Sequence, residues 1–180
     1  MPECFKSLYL FQVVAELLQQ RNLGFMKRIE DIGESGLVEL IQRWCEGGES
    51  SVEIGIGDDA AVLPWTTRQG SMVATVDLME EGVDFDRRYC PLHLVGRKAA
   101  AMNLSDLAAM GARPSFLLLC LSLPGQMDLQ EFESLVRGIV EQGHEQGAQV
   151  VGGDLSAAPE YSQRISIAVT ALGSMDGHVP

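Results

Sequence analysis

"SFLLLCLSLP", residues 115–124, decides how the rest of the chain is read. It is a nearly continuous apolar run of strand length, so both of its faces require cover. The period then changes. In "DLQEFESLVRGIVEQGHEQG" (128–147), Leu129, Phe132, Leu135, Val136, Ile139 and Val140 form one helical stripe, and Asp128 and Glu131 stand in capping-box-like spacing. "AQVVGGD" (148–154) is a buried strand ending in a glycine pair.

Working outward, "PLHLVGRKAAAMNLSDLAAMGARP" (91–114) starts with proline and stops at Gly111 and Pro114, which is helix punctuation, and its alanines allow close packing against a neighbour. "GESGLVELIQRWCEGG" (33–48) carries Leu37, Leu40, Ile41 and Trp44 at helical spacing and ends in two glycines. "AAVLPW" (60–65) and "SMVATVD" (71–77) read as short strands joined by a polar turn, and "RISIAVTALG" (164–173) as a last strand. The expected class is α+β (an α/β two-layer arrangement), with helices on one face of a mixed sheet. Only two long core helices are available to cover that sheet. A second copy of the sheet is the simplest cover for the other face, which predicts a homodimer joined sheet to sheet.

The totals agree with one domain. The chain has 180 residues, 46% of them hydrophobic, which excludes a disordered chain or a fibre. Its 25 acids against 13 bases give a formal charge of −12, which argues against nucleic acid or an anionic membrane as partner and suits a protein that gathers cations. Cys4, Cys45, Cys90 and Cys120 form no C-x-x-C pair and read as free thiols in a reducing cytoplasm. No apolar run approaches the ~20 residues of a membrane span. "SLYLFQVVAELLQQ" is interrupted by Gln12 and Glu16 and lacks a signal-peptide cleavage site. Residues 1–25 are read as an N-terminal extension of uncertain origin, and 26–180, opening at Met26, as the folded domain.

The acids raise the chemical question. In "VEIGIGDDAAV" (52–62), Asp58 and Asp59 stand side by side with no lysine or arginine within eight residues. Asp77 ends "VATVD", Asp106 lies in "NLSD", and Asp154 closes "VVGGD". Two unit charges ~4 Å apart repel by about 4 kcal/mol at an effective dielectric of 20, so convergence of these groups demands raised pKa values or bound cations. Oxygen-only ligands favour Mg²⁺ or Ca²⁺, and magnesium commonly bridges carboxylates to phosphates. Gly55 and Gly57, and Gly152 and Gly153, would let backbone N–H groups approach an anion. Turn and cap roles for the same residues remain open at this level. There is no P-loop and no EF-hand. His93, His144 and His178 show no ligand spacing. Arg97 and Lys98 are read as solvated or ion-pairing, with phosphate contact as the alternative. Acidic positions 131, 133, 141 and 145 read as the solvated face of a helix.

"GIGDDAAV", "TVDLMEEGVDF", "GRKAAAMNLSDLAAMGARP" and "VVGGD" occur in the order and spacing of thiamine-monophosphate kinase, a family within the aminoimidazole ribonucleotide synthetase and selenophosphate synthetase superfamily, and the chain resembles it from about Ile29 to Gly173. The resemblance implies a mixed four-stranded sheet like that of the aminoimidazole ribonucleotide synthetase N-terminal domain, pairing with a second copy into a barrel. It implies Mg²⁺-dependent in-line transfer of a phosphoryl group from ATP to thiamine monophosphate, without a protein nucleophile. Carried across by motif, Asp59, Asp77 and Asp106 are magnesium ligands, with Thr75 and the Val76 carbonyl in the same cluster and Asp58 supporting Asp59. Asp154 holds a further magnesium, and Gly153 and Asp154 border the ATP phosphates. The family usually reads "EGVHF", with its histidine on the substrate; Asp84 stands there in this chain and needs an intervening cation. The family's second domain is expected to begin where this chain stops, so the chain alone is expected to turn over little or no substrate. The alternatives are another ATP-dependent enzyme of the superfamily, or a non-catalytic, dimerising cation-binding module.

Overall fold

The structure is a computed structural model, and it describes residues 28–45, 55–56, 70–159 and 162–176. The strand expected at 60–65 and the pair Asp58 and Asp59 lie outside the described residues. A short 3-10 turn, Ile29–Asp31, leads into helix α1, Gly33–Cys45. Strand β1 (Gly70–Glu80), helix α2 (Leu92–Ala109), β2 (Arg113–Leu123), α3 (Leu129–Glu145), β3 (Gln149–Ala157) and β4 (Ser166–Asp176) follow.

The strands form one sheet in the order β1-β4-β2-β3. β4 pairs antiparallel with both β1 and β2, whereas β2 and β3 run parallel, joined through α3. The mixed four-stranded sheet expected for the fold is therefore present. Leu117, Leu119 and Leu121 of β2 and Ile167, Val169 and Ala171 of β4 are buried in one core with the helices. Across α3, Phe132, Leu135, Val136 and Ile139 are fully buried, as the periodic stripe requires.

Among the described residues, the other face of the sheet has no large cover. On β1, Met72, Val76 and Leu78 are 57%, 62% and 56% exposed. On β2, Leu118 is half-buried and Cys120 exposed, so among the described residues the run that looked two-sided is covered by helices on one side only.

Several boundaries differ from the sequence expectation. β2 starts at Arg113 because Pro114 fits at a register irregularity between Pro114 and Phe116, where its missing N–H breaks no regular ladder. β1 and β3 run on to Glu80 and Ala157, so Asp77 and Asp154 sit inside strands rather than at their ends. Among the described strands both lie at the sheet edges, where a carboxylate stays hydrated and low strand propensity is tolerated. Asp128 occupies the N-cap of α3 with extended backbone, but its side chain makes no capping bond, and Glu131 lies 3.8 Å from Arg87 instead.

The two long helices meet backbone to backbone. A Cβ on Gly96 would stand 2.1 Å from the Leu135 carbonyl oxygen, and one on Gly138 would stand 2.1 Å from that of His93. Two cross-helix pairs flank the contact: His93 Nε2 with Glu141 at 2.8 Å, and the Arg97 guanidinium with Glu145 at 2.9 Å. That bond holds the Glu145 carboxyl below the ordinary range. Positions 131, 141 and 145 thus take part in ion pairs rather than a purely solvated face.

Burial also sets thiol chemistry. Desolvation pushes the Cys45 thiol up to about 12, whereas Cys120 is exposed. The thiolate is the reactive form. A thiol reagent at pH 8 is therefore expected to spare Cys45 in the folded chain and to label it once urea unfolds the chain, as read by peptide mass spectrometry; equal labelling of Cys45 in both would show that α1 opens from the core.

Candidate metal and nucleotide site

Thr75 lies on the helix-covered face of β1, opposite the fully buried Ala171 of β4. Its hydroxyl donates to Asp106 Oδ2 of α2 at 2.9 Å. This single bond joins two segments separated by 31 residues. Asp77 follows on the same face of β1, opposite Val169, about 7 Å along the strand. Val76 turns its side chain to the bare face, opposite Thr170, so an oxygen from this residue can only be its carbonyl.

The local sequence explains the arrangement. Alternation on β1 sends residues 75, 77 and 79 inward, and Met79 anchors the series at 1% exposure. On α2, Ala99, Ala100, Leu104 and Leu107 bury one stripe, which leaves Asp106 exposed at the border facing β1. Asn103, unremarked in the sequence, is fully buried there; its Nδ2 donates to the Ala99 carbonyl at 3.1 Å, while Oδ1 has no partner among the described residues. The available signal was its place among alanines and leucines, where a polar amide is conspicuous.

Asp154 does not join this group within one chain. β3 is the edge strand opposite β1, and a register irregularity at Leu117/Leu118 sets Gly152 beside Leu118 and Asp154 beside Cys120. Asp154 accordingly projects from the bare face, where Ser156 Oγ donates to its Oδ2 at 3.1 Å. Within one chain the donors therefore fall on two faces: Thr75, Asp77 and Asp106 on the helix side, Asp154 on the other.

Gly153 has a structural cause of its own. Its φ is 153°, and a Cβ would fall 1.7 Å from the Leu119 carbonyl oxygen, so the contact of β3 with β2 admits only glycine.

Asp84 caps a turn. Its Oδ2 accepts the Glu80 N–H at 2.8 Å, its own N–H donates to the Glu80 carbonyl at 2.9 Å, and Lys98 Nζ donates to its carbonyl at 2.9 Å. Of the two cations left open by sequence, Arg97 is ion-paired across the helices and Lys98 holds this turn.

Electrostatics bears on what the group can hold. None of the ion pairs among the described residues involves Asp77, Asp106 or Asp154. Oxygen donors without a basic counter-charge fit a hard divalent cation. Among the described residues, no three acidic, histidine or cysteine side chains form a metal-holding group by themselves, so a full ligand set needs additional donors.

Residues 57–175 match the family model of the AIR synthase related protein, N-terminal domain. The thiamine-monophosphate kinase of Synechococcus elongatus is 36% identical over 147 residues, covering 82% of this chain and 42% of the relative. Among solved structures, the thiamine-monophosphate kinase of Stenotrophomonas maltophilia K279a matches with a TM-score of 0.64 and 34% identity, over 78% of this chain and 42% of that one. A structure of AaThiL complexed with AMPPCP and TMP matches with a TM-score of 0.55 and 31% identity, over 85% and 45%. The chain therefore spans less than half the length of these relatives. With its mixed sheet, its one-sided helices and this match, the chain belongs to the AIR synthase related family through the N-terminal domain, and within it is similar in sequence to the thiamine-monophosphate kinases.

Proposed function

We propose that this chain is the magnesium- and ATP-binding N-terminal half of a kinase that phosphorylates thiamine monophosphate to thiamine diphosphate. The observation that carries the reading is the Thr75–Asp106 bond beside Asp77, an oxygen-donor group without a basic partner among the described residues, on the motifs the relatives share. In this reading Asp59, Thr75, the Val76 carbonyl, Asp77 and Asp106 hold magnesium, with Asp58 in support. Asp154 holds a further ion and, with Gly153, borders the ATP phosphates. Bound magnesium would supply charge neutralisation on the transferring phosphoryl group. The protein's own part is positioning: Thr75 fixes the Asp106 carboxylate, and the β2–β3 contact fixes the backbone ahead of Asp154. Support for the two ligands comes from the relative crystallised with AMPPCP and TMP.

Calorimetry of the chain with a non-hydrolysable ATP analogue tests this. Binding is expected with magnesium and lost with EDTA; binding indifferent to magnesium would refute the reading.

Assembly belongs to the same proposal. Met72, Val76 and Leu78 form an exposed apolar surface on the face that also carries Asp154, and a second copy covers it best. Light scattering is expected to give about twice the 19.6 kDa chain mass, and Val76→Lys to lower it toward one; a monomeric mass for the unaltered chain removes the homodimer.

A further inference from the structure

Among the described residues Asn103 is the one polar side chain that is buried. Its neighbours on the core side of α2, Ala99, Ala100, Leu104 and Leu107, are all buried and apolar, so packing alone gives no reason for an amide there. Nδ2 donates to the Ala99 carbonyl at 3.1 Å, a group that the helix already supplies with the N–H of residue 103. That side-chain bond is a dispensable second one. Oδ1 accepts nothing from the described residues. Buried polar atoms nearly always find a partner, and an exception calls for a water, an ion or a functional role.

Its place in the fold shows what the missing partner serves. α2 runs antiparallel to β1, since Asp106 meets Thr75 while Lys98 reaches Asp84 beyond the end of the strand. Asn103 precedes Asp106 by one turn, about 4.5 Å nearer the level of Asp77 and roughly 60° further round toward the core. Helical side chains lean toward the helix N-terminus, which here is the direction of Asp77. On the facing strands, Thr75 and Asp77 of β1 stand opposite Ala171 and Val169 of β4, both buried and apolar. The Thr75 hydroxyl spends its proton on Asp106. Acceptor oxygens of Asn103, Asp77 and Asp106 thus border one layer, and none of these side chains has a donor left for Oδ1.

A water meets that need when a cation is bound. It gives one hydrogen to Asn103 Oδ1 and the other to a carboxylate, which turns its lone pairs outward as a ligand. Magnesium retains several waters, and the described side chains do not complete a ligand set.

We propose that Asn103 is a positioning residue of the cation site: its Oδ1 accepts a hydrogen bond from a water of the bound cation and fixes that water between α2 and β1. The inference rests on the magnesium reading above. The amide torsion of an asparagine is soft and the bond to Ala99 is expendable, so the side chain turns without moving the helix.

The test uses the ¹³C,¹⁵N-labelled chain, freed of divalent metal with EDTA and then titrated with Mg²⁺. The Asn103 ¹³Cγ signal is expected to move along the same saturation curve as that of Asp106. Mn²⁺, read by electron paramagnetic resonance, is expected to bind Asn103→Ala about tenfold more weakly than the unaltered chain. The metal-free thermal midpoint of this variant is expected to fall by less than about 2 °C, because an unpaired buried oxygen leaves together with the lost contacts. An amide with a purely structural task gives the reverse pattern, full Mn²⁺ affinity and a midpoint many degrees lower, and that overturns the inference. So does an Asn103 signal that stays fixed while Asp106 shifts, a result that needs no variant to fold and leaves the magnesium site standing. Absence of any Mg²⁺-dependent shift at Asp77 and Asp106 removes the magnesium reading and the inference with it.

Discussion

Gly138→Ala is expected to destabilise the chain by about 3 kcal/mol or more, lowering the thermal midpoint by roughly 10 °C, and Gly96→Ala to do the same. At each site one added methyl meets a main-chain carbonyl oxygen of the opposing helix at 2.1 Å. A side chain in the way would change rotamer; a carbonyl inside a hydrogen-bonded helix cannot, so α2 and α3 must separate. Separation loosens Leu135, Val136 and Ile139, which are fully buried, and stretches the His93–Glu141 and Arg97–Glu145 pairs together. The loss is a large share of the 5–15 kcal/mol by which domains are stable. Gln130→Ala, on an exposed position of the same helix, provides the control and is expected to change stability by less than about 0.5 kcal/mol. Urea denaturation of the three variants decides the matter. A midpoint near the original for both glycine variants would show that the helices do not meet at their backbones.

Asp106→Asn is expected to weaken magnesium-dependent binding of the ATP analogue by at least about 100-fold while leaving the fold intact. The amide is nearly isosteric, and its oxygen still accepts the Thr75 hydroxyl, so the link between α2 and β1 survives. What disappears is the charge that the proposed cation requires. Because Asp106 is exposed and makes no ion pair with a described residue, neutralising it is expected to leave the melting temperature within a few degrees, about the effect of an ordinary surface change. Thr75→Val is expected to weaken the same binding about tenfold, as a lost supporting contact does. Calorimetry reads both. Full magnesium-dependent affinity in the asparagine variant would leave Asp106 with a purely structural task.

These two experiments probe different kinds of information. The helices and strands were legible because each is governed by a short-range period. The stripe from Leu129 to Val140 reappears as α3, the apolar run at 115–124 as β2, and punctuation by Pro91 and Gly111 brackets α2. The family motifs were legible as well, since order and spacing of residues suffice to recognise them. Strand ends were less so: Asp77 and Asp154 looked terminal, yet pairing with β4 and β2 carries both strands past them.

Sequence alone determined the classes of residue in play: an α+β chain, rich in acids, with oxygen donors at Thr75, Asp77, Asp106 and Asp154. Only the tertiary structure decided how they are grouped, because strand order and register are fixed by contacts between distant segments. Those contacts bond Asp106 to Thr75, put Asp154 on the bare face beside Cys120, turn the Asp84 carboxylate back onto Glu80, and bury Asn103 one turn from Asp106. A one-residue change of register moves a side chain to the other face of a sheet, and no local period in the chain encodes that choice.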